Sequence, residues 1–394
     1  LVCSLFDRDA GAAREALGAI ADLPLRDRDE GLKVLLGLSL VNWDSGSDRF
    51  WLLPLVQEYA RAELERADFR DELTERWLAW ARDFALRYGA DLDIRIENAP
   101  TFAQEYPNLR LAFRWCAEHD RWQDVLVLAD GLWFYPYLAG LLGEVTEILE
   151  TAIHASQSLD DKRVAGRFYR RSALILWDQG KWEECLQQLQ EAEAIARQYS
   201  DKVELGLALE RAADYWIEQG SGAPGGPPAP SELALERAAD YGIERGEIHK
   251  GKELAYEALK AGEESGNLQV KTFAAYRLSM AESAAGNLKA SLEWLDKGEE
   301  WARELGWSRA LAWYLFRRGA NLTDAGRYAE AEPYLLQALE AVTWDEPRFF
   351  AYAKYRLARV YQKTGRLELA RRTAEEARDL VERIGLGALR EDVE

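Results

Sequence analysis

Apolar residues recur at three- and four-residue steps along most of the chain, as in KWEECLQQLQEAEAIARQY (181–199), which is the spacing of amphipathic helices. The runs are closed by glycines at Gly180, Gly220, Gly246, Gly286, Gly326 and Gly365, with spacings of 40, 26, 40, 40 and 39. A fixed period of this size predicts stacked supersecondary units. With the units aligned on Gly180, Gly246, Gly286, Gly326 and Gly365, the seventh residue before each glycine is small: Ala173, Ala239, Ser279, Gly319, Ala358. The fifth after is small as well: Cys185, Gly251, Ser291, Ala331, Ala370. So is the twelfth: Ala192, Ala258, Gly298, Ala338, Ala377. Small side chains at these steps let antiparallel helices approach closely enough to interlock.

This arrangement of a small residue, a glycine seven later, and small residues five and twelve beyond it resembles the tetratricopeptide (TPR) family, at about 40 residues per unit rather than the commoner 34. The resemblance implies a mainly all-α fold, a TPR-like α-solenoid of helix pairs over 160–394. Propeller blades would need strands within each unit, and HEAT-type helices, the structural rival, do not require the small positions.

The 26-residue interval breaks the period. LALERAADYWIEQG (207–220) recurs at 233–246 with Gly242 and Arg245 in place of Trp216 and Gln219. One copy is surplus to the solenoid. Between the copies lies SGAPGGPPAPSE, with four of the chain's eleven prolines, which excludes regular helix and reads as an inserted loop at 221–231.

Residues 1–66 follow another pattern. Two apolar helical segments precede SLVNW, the polar turn DSGSD, RFWLL and a helix opening at Pro54, an order that predicts a small N-terminal winged-helix module. Residues 67–159 read as a helical connector with a degenerate repeat, since Gly140 lies 40 before Gly180. LLGLSLVNWDSGSDRFWLLPLVQEYARAEL (35–64) resembles the winged-helix segment of STAND-type signalling ATPases, relatives of NB-ARC and NLR-like receptors. EYPNLRLAFRWCAEHDRWQDVLVLADGLWFYPYLAGLLGEVTEILETAI (105–153) resembles the helices that join the nucleotide module to the repeats in such proteins. That resemblance implies a sensor region whose upstream nucleotide-binding domain is not part of this chain. No GxxxxGK[ST] phosphate loop occurs, so no nucleotide chemistry is expected here.

Composition narrows the function. The 69 acidic and 50 basic residues leave a net charge of −19, which repels phosphate backbones and anionic lipid. Nucleic acid and membrane are therefore poor partners. The most apolar stretch, Gly131–Gly143, is too short to span a bilayer. Cys3, Cys116 and Cys185 form no CxxC pair, which suits a reducing compartment, the cytoplasm. His119, His154 and His249 are too scattered for a metal site. Cys185 takes a packing position. No catalytic constellation emerges, and neither cofactor nor metal is expected.

Recognition is the remaining class. Positions 13 and 10 before each glycine share one side of the first helix of a pair, the side that lines the groove of a TPR superhelix. They read Arg167 and Arg170, Phe273 and Tyr276, Trp313 and Phe316, Tyr352 and Tyr355, with Glu210 or Glu236 in the interrupted unit. Aromatic residues on a rigid surface suit protein–protein contact. The expected partner is a protein or peptide, with a small-molecule activator also allowed. A stand-alone scaffold would use the same groove. A DNA-binding regulator would use Arg14, Arg26 and Arg28 of the front module, although acidic residues interleave them.

Overall fold

A computed structural model describes residues 1–221 and 243–386. It divides into two units, Leu1–Leu92 with Glu97–Tyr135, and Asp93–Ile96 with Pro136 onward.

The first unit starts with helices α1 (Arg14–Ala21) and α2 (Leu25–Gly37) beside a three-stranded antiparallel sheet of β1 (Ala12–Ala13), β2 (Val41–Asp44) and β3 (Arg49–Leu52) in the order β1-β3-β2. The predicted strands and turn are β2, β3 and the residues between them, with Val41 opposite Leu52. The Asp44 carboxylate closes the turn by accepting from the Ser47 hydroxyl and from the amides of Gly46 and Ser47. Strand β1 has no sequence signal of its own. Gly11 makes it possible: its φ is +64°, and a Cβ there would lie 2.8 Å from the Phe50 carbonyl oxygen.

Helix α3 (Pro54–Glu65) opens at its proline as expected, and α4 (Arg70–Tyr88), α5 (Ala99–Glu118) and α6 (Trp122–Leu132) follow. Phe6, Phe50, Leu78, Phe102 and Phe113 fill this unit's core. A buried polar knot ties the sheet to α5. Arg49 donates to Glu105 at 2.6 and 3.0 Å and to the carbonyls of Ala10 and Gly11, while Asn108 donates to Glu105 at 2.6 Å. Each member thus has partners, which a buried ion pair requires if it is not to destabilise the fold.

The second unit is a stack of helix pairs. After the short α7 (Phe134–Leu138) and α8 (Leu142–Ser158) come α9 (Lys162–Asp178) with α10 (Trp182–Gln198) and α11 (Lys202–Ser221) with α12 (Ile243–Ser265). Then follow α13 (Leu268–Ala284) with α14 (Leu288–Glu304), α15 (Ser308–Asp324) with α16 (Tyr328–Ala341), and α17 (Pro347–Lys363) with α18 (Leu367–Ile384). This is the expected mainly all-α, TPR-like solenoid of helix pairs. Gly140, Gly180, Gly286, Gly326 and Gly365 all adopt φ between +73° and +79°. In the last four, the amide after the glycine donates to the carbonyl five residues earlier, as Lys181 does to Leu176 and Arg327 to Leu322, which stops the first helix and turns the chain. Second helices also end in left-handed residues, at Asp160, Ser200, Gly266 and Gly306.

Gly220 and Gly246 depart from this pattern, since both lie within helices, α11 and α12. The first copy of the duplicated segment occupies the solenoid. Leu209, Ala213 and Ile217 pack with Ala255, Ala258 and Leu278, and a Cβ on Gly251 would meet Ile217 and the Ala213 carbonyl. Residues 222–242, which hold the Pro-rich insertion and most of the second copy, lie outside the described residues.

The small positions sit where helices touch. Ala173, Cys185, Ser291, Ala331, Ala338 and Ala377 have essentially no exposed surface. Asn321 donates to the hydroxyls of both Ser279 and Ser291, at 2.9 and 2.7 Å, and so locks α13, α14 and α15 together. Gly298 faces the buried Tyr314, whose hydroxyl donates to the Thr272 carbonyl at 2.6 Å. A methyl group at Gly298 would overlap that hydroxyl. Gly298→Ala is therefore expected to destabilise the chain by about 1–3 kcal/mol through overpacking, read as a lower urea midpoint with an unchanged slope.

Candidate recognition surface

The first helices of the pairs, α9, α11, α13, α15 and α17, form one layer of the second unit, and the predicted groove residues all lie on them. Arg167 and Arg170 converge on Glu204 of α11, at 3.3 and 2.9 Å. Phe273 sets its ring edge-on to Trp307 at 5.0 Å, and Tyr276 meets Tyr314 at 5.5 Å. Trp313, Phe316 and Tyr352 come together with Phe349 in one aromatic group, with centroid distances of 5.0–6.5 Å. Tyr355 packs with Val381 and Ile384 of α18. Tyr276 and Phe316 are buried, whereas Phe273, Trp313, Tyr352 and Tyr355 are half-buried. Glu210, in the docked copy, accepts from Arg277 at 2.9 Å. Glu236 lies outside the described residues.

The layer carries a second set of residues that the reading of positions 13 and 10 passed over. Nine residues before the glycine, every unit has an arginine: Arg171, Arg211, Arg277, Arg317 and Arg356, with Gly220 as the reference for the docked copy. The same alignment that exposed the small positions would have found them. Arg277 on α13 reaches Glu210 and Asp214 on α11, each at 2.9 Å, and Arg356 on α17 reaches Asp324 on α15 at 2.5 Å. Arg317 on α15 lies over the Tyr276 ring of α13, 4.9 Å from its centroid. Arg309, seventeen before Gly326, binds Glu346 through paired contacts of 2.6–3.1 Å and Asp93 at 2.5 Å. Successive helices of the layer are thus bridged by charge or by stacking on an arginine.

The stack also curls back on itself. Arg348 at the start of α17 stands 3.2 Å from Asp178 at the end of α9, with three layer helices between them in sequence. A methyl on Gly140 would meet Ile384 of α18. Aromatic and charged side chains therefore face one another across the inside of this unit.

Burial acts on the acids held there. Loss of hydration, reinforced by Asp214, pushes Glu218 up to about 8, against the opposing pull of Arg317, Arg277 and Arg356. Burial pushes Asp178 well above the carboxylate range. The Cys185 thiol, pushed up to about 12 by burial, is no nucleophile at neutral pH. Among the described residues, no group of His, Cys, Asp and Glu could hold a metal ion, and no helix is long and apolar enough to cross a membrane. In the first unit, Arg14 pairs with Asp48 and Asp29, Arg26 with Glu30, and Arg28 with Asp29. These three arginines are matched by neighbouring acids.

The geometry defines a mainly α-helical repeat protein with a polar and aromatic inner layer. No protein-family profile matches the chain, and no curated protein matches it. Among solved structures it is similar to a signal transduction ATPase with numerous domains (STAND) protein with a tetratricopeptide repeat sensor from Pyrococcus horikoshii, at 14% identity and a TM-score of 0.31. The alignment covers 100% of this chain and 64% of that one, so the chain spans less than two thirds of that protein's length.

Glu218 sets a pH dependence. Between its ordinary value of 4.5 and about 8, the folded chain holds a proton that the unfolded chain has released, so stability falls as pH rises through that window. Urea melts from about pH 5 to about pH 8 are expected to show a decline in the wild type that Glu218→Gln flattens. An unchanged slope in the variant would show that Glu218 does not titrate in this range.

Proposed function

We propose that this chain is a non-catalytic recognition region of a STAND-type signalling protein, in which the layer formed by α9, α11, α13, α15 and α17 receives a protein or peptide partner. The observation that carries this reading is the inner layer itself. Five successive repeats carry an arginine on the first helix, the last three add aromatic rings, and those of Trp313, Phe316, Tyr352 and Phe349 form a continuous group. Large, stiff side chains give a partner much contact area at small entropic cost.

In this reading the front module, with its three-stranded sheet and proline-led α3, is a winged helix that transmits the state of the solenoid to a nucleotide-binding domain encoded ahead of it. The matched arginines of that module weigh against a DNA-binding role, since a phosphate contact would first have to break Arg14 from Asp48 at 2.7 Å.

Affinity capture from an extract of the source cells, followed by mass spectrometry, tests the assignment. The wild-type chain is expected to enrich a partner that a Trp313→Ala, Tyr352→Ala double variant loses by at least about tenfold. Circular dichroism establishes that the variant is folded. Equal capture by both would remove the layer as the binding surface.

A further inference from the structure

Arg348 differs from the other arginines of the inner layer. Arg277, Arg309 and Arg356 each meet carboxylates with good hydrogen-bonding geometry. Arg348 stands instead among aromatic rings: its guanidinium carbon is 5.1 Å from the centroid of Tyr137, 5.3 Å from Trp313 and 5.9 Å from Tyr352. Among the described residues, the carboxylate within ion-pair distance is Asp178, 3.2 Å away but misaligned, and Asp93 acts on Arg348 from farther off. Neither the Arg348 Nε nor either Asp178 oxygen makes a hydrogen bond. Asp178 has no exposed surface at all.

Buried polar atoms are normally hydrogen-bonded, and an exception calls for an explanation. Three aromatic rings around a guanidinium, with a buried carboxylate beside it, are the components of a cation-binding box. Here the box is filled by the protein's own side chain, and the fit is poor. Burial holds Asp178 above its ordinary range and Arg348 below its own, the direction expected when neither ion is well compensated. From the neighbouring elements Arg211 and Arg309 pull Asp178 down, while Asp214 and Glu346 push it up. The side chain of Arg348 is already 15% exposed, so it has a route to water that Asp178 lacks.

We propose that Asp178 and the rings of Tyr137, Trp313 and Tyr352 form a recognition site for a guanidinium or alkylammonium group, which Arg348 fills until a ligand displaces it. An entering cation with free donors would give Asp178 the charge-assisted hydrogen bonds it now lacks, while Arg348 regains hydration. The net charge of −19 favours a cationic ligand over the whole surface. This inference rests on the reading that the inner layer receives the partner. It assigns that partner a basic side chain or, if the ligand is small, a free amine or guanidine.

The test uses the full chain and methylguanidinium at millimolar concentrations against matched sodium chloride, followed by thermal melting and calorimetry. Arg348→Met keeps an apolar stem over the rings and vacates the charge. It is expected to bind methylguanidinium at least about tenfold more tightly than the wild type and to gain melting temperature. Adding Asp178→Asn should abolish both effects. If Arg348→Met does not fold alone, its refolding yield is read with and without the cation, and a gain supports the site. The capped peptide acetyl-Gly-Arg-Gly-amide, run in parallel, separates the sources: tighter binding than methylguanidinium points to a peptide, weaker binding to a small cation. Equal affinity of wild type and Arg348→Met, binding that survives Asp178→Asn, or absence of any rescue overturns the proposal. Because these readouts need no partner, such a failure is separable from that of the inner-layer reading, which stands or falls on partner capture.

Discussion

The second unit depends on how closely its helices approach one another. Backbones interlock only where side chains are small, and the positions seven before, five after and twelve after each turn glycine supply that condition. At Gly298 and Gly319 even a methyl group would collide, with Tyr314 in one case and Leu335 in the other. Close approach does more than fill space. It brings successive first helices within reach of one arginine side chain, so that Arg277, Arg317 and Arg356, nine residues before the glycine, find partners on the neighbouring helix.

That requirement explains a costly choice. Burying arginine and carboxylate together rarely gains stability over an apolar pair of the same size, because desolvation offsets the attraction. Arg277 between Glu210 and Asp214 is better understood as fixing which face of each helix meets the next. An apolar seam tolerates sliding and rotation, whereas a buried charge tolerates only the register in which it is paired. Asn321, bonded to both Ser279 and Ser291, does the same with neutral groups. The Arg348–Asp178 contact stands apart because it joins helices distant in the stack and leaves its atoms unpaired.

What could be read from the sequence follows from the range of each interaction. The turn glycines and small positions are local and periodic, so alignment of the repeats reveals them, and the hairpin of the front module announces itself through DSGSD and Pro54. The arginines at position nine were equally visible and needed only the same alignment carried to more positions. Two other features depend on contacts far apart in the chain. Strand β1 is two residues whose pairing to β3 relies on Gly11, and nothing in Ala12–Ala13 marks it. The meeting of Asp178 with Arg348 arises from the curl of the stack, which accumulates from small rotations between pairs. The interrupted unit was ambiguous for a different reason: two nearly identical segments can satisfy the same contacts, and local sequence does not decide which one is used.

The aromatic residues show how position and environment separate. Their placement on the first helices follows from three-residue spacing, but how much of each ring meets solvent depends on neighbours from other repeats. Trp313 touches Phe349 and Tyr352 of the next first helix as well as Phe316 of its own, and Phe273 rests on Trp307 from the following unit. Rings shared in this way are both surface and mortar. A partner that seats against Trp313 or Tyr352 alters contacts that also set the angle between α15 and α17. Packed interiors respond to such changes by moving between discrete arrangements rather than by yielding gradually. On the proposed reading, recognition and the geometry of the stack would draw on the same side chains, which is the physical requirement for a binding event on the inner layer to be felt elsewhere in the unit.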